Sequence, residues 1–126
     1  MNRTTTLQLA GKQYPLNFSV AAARQIDERY GGMEKLSQAF DGGSIGRMMG
    51  TLSDVMYLLM QQGAAYEKLV NGREVELPTA EELDVLMGMQ DFAVIQKTLF
   101  EAMGVGAKAT VEVAPDAKNA DATRGA

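Results

Sequence analysis

The chain has 126 residues, a length that fits one domain around one hydrophobic core and excludes a large multidomain enzyme. It contains no histidine and no cysteine, which excludes disulfides, thiolate nucleophiles, imidazole bases and the usual zinc and iron ligand sets. Its formal net charge of −4 disfavours sequence-independent binding to phosphate backbones, so we expect no nucleic-acid partner.

The N-terminus is polar over residues 1–6, and nowhere do 18 apolar residues run together. A secretory signal needs an apolar stretch near the N-terminus, and a membrane-spanning helix needs a longer one. We therefore expect a soluble protein of a reducing cytoplasm, without a membrane partner.

Residues Leu7 to Phe18 predict a short β-hairpin with its turn at Gly11. Apolar and polar residues alternate on both sides of that turn, which is the pattern of strands with one buried face. Pro15 has no backbone N–H, so the second strand should be an edge, or its Pro15 nitrogen should face solvent.

Two short helices are predicted after the hairpin, where the apolar period changes from two to about 3.6 residues. Ser19 suits the N-cap of the first helix and Gly31 its left-handed C-cap. The expected buried stripe of the first helix is Val20, Ala23, Ile26 and Tyr30, and that of the second is Met33, Leu36 and Phe40. Residues 41–44 form the break that follows.

The longest helical pattern begins after Ser44. Its apolar residues recur at steps of three and four: Ile45, Met48, Met49, Leu52, Val55, Met56, Leu59 and Met60. The pattern can continue through Leu69 and Val70 until Asn71-Gly72 ends it. Asn71-Gly72 is also a typical type I′ hairpin turn, an alternative that leaves this helix shorter, but we favour the helix end.

A last helical region is predicted from Thr79 to Met103. Thr79 and Glu82 have the spacing of a capping box, in which each side chain bonds the other residue's backbone amide. Gly88 interrupts the region, which predicts either a kinked helix or two helices. The apolar residues expected to form its buried face are Leu83, Leu86, Met87, Phe92, Ile95, Leu99 and Met103.

These elements predict an α+β fold that is mostly α-helical, with an N-terminal β-hairpin packed on four or five helices. We expect a single domain over residues 1–103. From Gly104 to Ala126 the composition offers too little apolar burial to offset the entropy cost of ordering, so a flexible tail is expected there.

The charged residues suggest no catalytic site, and we expect neither an enzyme nor a bound cofactor or metal. Glu81, Glu82 and Asp84 fall in the first turns of a helix, where the macrodipole stabilises negative charge. From Glu74 to Glu101 there are seven acidic residues and one lysine. This acidic half is either a solvated helix surface or a surface that docks a basic partner helix.

The nine methionines offer two interpretations. Methionine at helical spacing is usually core filler, but its flexible thioether also suits surfaces that repack around different partners. Under the second interpretation the partner-binding residues are Met48, Met49, Leu52, Met56, Met60, Leu83, Met87 and Phe92. Gly46 and Gly50 would let another backbone approach the same helix closely, within the domain or across an oligomer interface.

The N-terminal order of features resembles a known family. Gly11-Lys12, then Tyr14, Leu16 and Phe18, then Ile26-Asp27 and Tyr30-Gly31 are similar to the pattern of tail assembly chaperones from long-tailed, non-contractile bacteriophages of the siphovirus type. The likeness covers Leu7 to Gly32, and beyond it the chain agrees only in being acidic, helical and of suitable length.

The resemblance implies a non-catalytic protein of the host bacterial cytoplasm that acts during virion morphogenesis. Such chaperones bind the tape measure protein, keep it soluble and help recruit tail tube subunits. They often self-associate, and many are also made in a longer, frameshifted form. Two alternatives stay open: a structural tail terminator or head-tail connector subunit of the virion, and an unrelated acidic protein-interaction module.

Overall fold

The computed structural model describes residues 5–41 and 43–104. Within them, a two-stranded hairpin is followed by five α-helices and one 3-10 turn, as the sequence predicted. The strands are β1 (Thr5–Leu9) and β2 (Lys12–Leu16), and the helices are α1 (Val20–Tyr30), α2 (Met33–Asp41), α3 (Ile45–Asn71), α4 (Ala80–Leu86) and α5 (Phe92–Met103). The flexible tail expected after Gly104 lies outside the described residues.

The hairpin is antiparallel, and Leu9 pairs with Lys12 across a two-residue turn. Both turn residues, Ala10 and Gly11, have positive φ, as a type I′ turn requires. Because the sheet has only two strands, β2 is an edge, which satisfies the constraint that Pro15 imposes. The hairpin is shorter than predicted, since β2 ends at Leu16 and Phe18 lies beyond it.

Helix α1 begins and ends where its caps predict, but its buried stripe is rotated. The Ser19 hydroxyl accepts from the Ala22 amide, and Gly31 takes the left-handed conformation. The predicted stripe was wrong at Val20, which is 71% exposed, and at Ala23, which is also exposed. The buried residues are Ala22 and Ile26, four positions apart, because α1 packs against both α2 and α3.

Helix α3 forms the centre of the fold and runs unbroken to Asn71. The alternative hairpin turn is therefore wrong: Gly72 is a left-handed C-cap whose N–H donates to the Lys68 carbonyl at 3.1 Å. The apolar ends of α3 are exposed, with Ile45 51% and Leu69 85% accessible. The middle of the helix packs against β2, α1, α2, α4 and α5, so it is buried on several sides.

A very close approach joins α3 to β2. A Cβ atom on Gly63 would lie 1.9 Å from the Pro15 carbonyl oxygen, so only glycine fits there. Beside it, the backbone N–H of Asn17 donates to the backbone carbonyl of Leu59 in α3 at 3.1 Å. The Ser19 hydroxyl also donates to Gln62 Oε1 at 2.6 Å, so polar bonds hold the hairpin exit on the helix.

The region after α3 forms two helices rather than one kinked helix. The Thr79–Glu82 capping box is present, with both hydrogen bonds made. Gly88 lies between α4 and a 3-10 turn at Met89–Asp91, and α5 starts directly afterwards. The Tyr57 hydroxyl donates to the Pro78 carbonyl at 2.8 Å and so fixes the connection before α4 to α3.

Helix α5 closes the core against β1, α2 and α3. Its residues Ile95, Leu99 and Met103 are buried, as their spacing predicted. Phe100 meets Phe40 of α2 edge to face, with ring centroids 5.5 Å apart. The core therefore consists of the apolar face of the hairpin together with the buried side chains of the helices that pack around it.

Candidate functional site

Most of the residues predicted to bind a partner are buried in the core. Six of them are at most 7% exposed, namely Met49, Leu52, Met56, Met60, Leu83 and Met87. Only Met48 and Phe92 are partly exposed. The central stripe of α3 thus fills the core, because several elements surround that part of the helix, and in this conformation it does not form an exposed partner surface.

The first two turns of α3 nevertheless border an open groove. It has a volume of about 210 Å³ and lies where α3 passes the end of α4 and the 3-10 turn. Gly46 and Gly50 lie on the α3 side, and a Cβ atom added at either would meet nothing within 4 Å. No element among residues 5–41 and 43–104 therefore occupies the space that these glycines leave open.

Methionines complete the lining of this groove: Met49 belongs to α3, Met87 directly follows α4, and Met89 begins the 3-10 turn. Met49 and Met87 are almost fully buried, whereas Met89 is 51% exposed. We call this surface, formed by Gly46, Met49, Gly50, Met87 and Met89, the methionine groove. Flexible thioethers beside a small-residue surface can adapt to apolar side chains of different shapes.

Met89 was not among the residues predicted to bind a partner. It also lay outside the predicted buried stripe, because it lies two residues after Met87 and residues two positions apart do not share a face of a helix. The available signal was Gly88, because a break in the helix turns the next residues onto a different side. The two glycines were recognised as points of close approach, but their position beside Met87 and Met89 depends on the α3–α4 packing.

A polar pocket of about 200 Å³ adjoins the methionine groove, and Ser53 and Asp84 line both. The Ser53 hydroxyl, which is buried, donates to Asp84 Oδ1. Asp54 and Arg29 also line this polar pocket. Residues 31 positions apart in the sequence are therefore joined at the contact between α3 and α4.

Asp54 of the polar pocket has a raised pKa. Partial burial raises the pKa of Asp54, the negative charge of Asp84 raises it further, and Arg29 acts in the opposite direction. Burial and Asp54 together also raise the pKa of the neighbouring Tyr30. The net electrostatic character of this pocket is thus negative.

Two of the other cavities among residues 5–41 and 43–104 lie away from this region. The larger, about 490 Å³, separates Lys12 and Tyr14 of β2 from the connection before α4 and from the exposed Val85. The other, about 320 Å³, is an apolar hollow between α2 and the end of α5. Among the described residues no cluster of three or more acidic side chains is arranged to hold a metal ion.

Comparisons of the chain with protein families, curated proteins and solved structures found no match. Within residues 5–41 and 43–104, none of the helices combines the length and the apolar character needed to cross a bilayer.

Proposed function

We propose that this protein is a phage tail assembly chaperone that binds the tape measure protein, keeps it soluble and helps recruit tail tube subunits in the host bacterial cytoplasm. The proposal rests on the resemblance of Leu7 to Gly32 to that family and on one structural observation. That observation is the methionine groove, an open surface lined by Gly46, Gly50 and the half-exposed Met89.

The chemistry of the methionine groove suits a helical partner. Glycines spaced four residues apart on α3 let a second helix come near, and the flexible, half-exposed Met89 can pack against its side chains. The groove is also lined by a negative charge, that of Asp84 on α4. An amphipathic helix with an apolar face and basic flanks is complementary to it in both shape and charge.

The test must block the methionine groove without disturbing the core. Charged residues at Met49 or Met56 would unfold the protein, since both side chains are buried. Gly50→Leu instead places a side chain in open space within the groove. Ala65→Leu adds a leucine to an exposed position further along the same helix and is the matched control.

The assay is co-expression with a tape measure protein from the same genome, followed by size-exclusion chromatography with light scattering. The wild type and Ala65→Leu should each form a soluble complex, whereas Gly50→Leu should leave the tape measure protein insoluble. If the wild type also leaves it insoluble and assembles alone into a closed ring, the protein is a structural tail or connector subunit instead.

A further inference from the structure

The polar pocket and the methionine groove form one continuous surface along α3. Gly46 and Gly50 border the groove, and Asp54 borders the pocket one helical turn further on. Four residues of α-helix advance about 6 Å, so the apolar and the acidic parts of this surface are about one turn apart. A helix lying along α3 would contact both.

The polar pocket holds one negative charge that its own cation does not balance. Asp54 and Asp84 contribute two carboxylates, and Arg29 contributes one guanidinium. The Arg29 guanidinium donates to Gln25 Oε1 at 3.2 Å. The ion pairs formed within residues 5–41 and 43–104, Lys68–Glu74 and Arg73–Glu67, lie elsewhere.

We infer that the polar pocket selects partner helices carrying a lysine or arginine about one turn from the apolar side chain that enters the methionine groove. This inference deepens the proposed function and rests on it, because it specifies which helices the groove accepts. A partner cation between Asp54 and Asp84 supplies the missing positive charge. An acidic residue at that position would meet two like charges and be rejected.

The hydrogen bond from Ser53 holds the Asp84 carboxylate in position before a partner binds. The buried Ser53 hydroxyl bonds Asp84 Oδ1, which fixes one carboxylate at the α3–α4 contact. A fixed carboxylate loses less conformational entropy when the cation arrives than a free surface side chain would. Burial is the main cause of the raised pKa of Asp54, and the negative charge of Asp84 raises it further against the opposing effect of Arg29.

The probes for this inference are two labelled synthetic amphipathic peptides of about six helical turns, or roughly 20 residues. Both have an apolar face of leucine and alanine. One carries lysine four residues from its central leucine, and the other carries glutamine there. Fluorescence anisotropy should show that the lysine peptide binds the wild-type protein about fivefold more tightly, as one partly exposed ion pair allows.

Variants that each remove one carboxylate charge show which residues cause the preference for the lysine peptide. Asp54→Asn and Asp84→Asn should each abolish the preference for lysine, and asparagine at position 84 retains an oxygen that accepts from Ser53. Glu81→Gln removes an exposed charge from the same helix outside the pocket and should keep the preference. Thermal unfolding of each variant confirms that it is folded.

The inference is overturned if the wild type binds the two peptides equally or binds neither. It is also overturned if the preference survives in either asparagine variant, or if Glu81→Gln reduces it as strongly as they do. Failure of the proposed function looks different: the preference for lysine persists, but the tape measure protein stays insoluble on co-expression with the wild type.

Discussion

Replacing Gly63 by alanine should destabilise the protein although it lies within a helix. The added Cβ would lie 1.9 Å from the Pro15 oxygen, 2.4 Å from the Pro15 carbonyl carbon and 3.0 Å from the Leu16 nitrogen. Ordinary van der Waals contact begins at about 3.4 Å, so β2 would have to move away from α3 by about 1.5 Å. The atoms in the way belong to the backbone and cannot rotate aside.

The expected loss of stability in Gly63→Ala is the balance between a gain in helix propensity and the cost of the clash with β2. Alanine is a better helix former than glycine by about 1 kcal/mol. Against this, overpacking costs about 1–3 kcal/mol or more, and separation of the two elements weakens the Asn17–Leu59 hydrogen bond, which contributes about 1 kcal/mol. We expect a net loss of about 2 kcal/mol in the free energy of unfolding, or a Tm lower by roughly 10 °C for a domain of this size.

The measurement is urea denaturation followed by far-ultraviolet circular dichroism, with Gly50→Ala as the matched control. Gly50 is in the same helix, but its added Cβ would meet nothing within 4 Å. The control should therefore gain up to about 1 kcal/mol from helix propensity alone. If Gly63→Ala gained stability as Gly50→Ala does, the close packing of α3 on β2 would be refuted.

Two further predictions concern the α3–α4 region. Thr79→Ala removes the hydroxyl that accepts from the Glu82 backbone amide and should lower the free energy of unfolding by about 1 kcal/mol. Chemical denaturation measures this loss, and an unchanged denaturation midpoint would contradict the capping box. Asp54→Asn should be more stable than the wild type at pH 7. Burial and the charge of Asp84 raise the folded-state pKa of Asp54 above its unfolded value. The ionised carboxylate therefore destabilises the fold at pH 7. The destabilisation by ionised Asp54 falls as the pH drops through its folded-state pKa, so the higher Tm of Asp54→Asn should approach that of the wild type in acid. An equal difference in Tm at pH 4 and pH 7 would contradict the raised pKa of Asp54.

Local signals in the sequence determined where most elements begin and end. Ser19, Ser44 and Thr79 each supply the side-chain oxygen that caps a helix, and Gly31 and Gly72 each end one in the left-handed conformation. Such signals act over a few residues, so they can be recognised without knowledge of the fold. The alternation of Leu7 and Leu9 with polar residues likewise determined which face of the hairpin is buried.

Tertiary structure decided which apolar residues stay accessible. Helical periodicity predicts one buried face, but α3 has neighbours on several sides in its middle and few at its ends, so Met56 is buried while Ile45 is exposed. The methionine groove depends on Met89, which lines the same cavity as Gly50 only because α4 packs on α3. The polar pocket arises in the same way, because a contact between helices brings Asp84 to Ser53 and Asp54 and no local pattern specifies that contact.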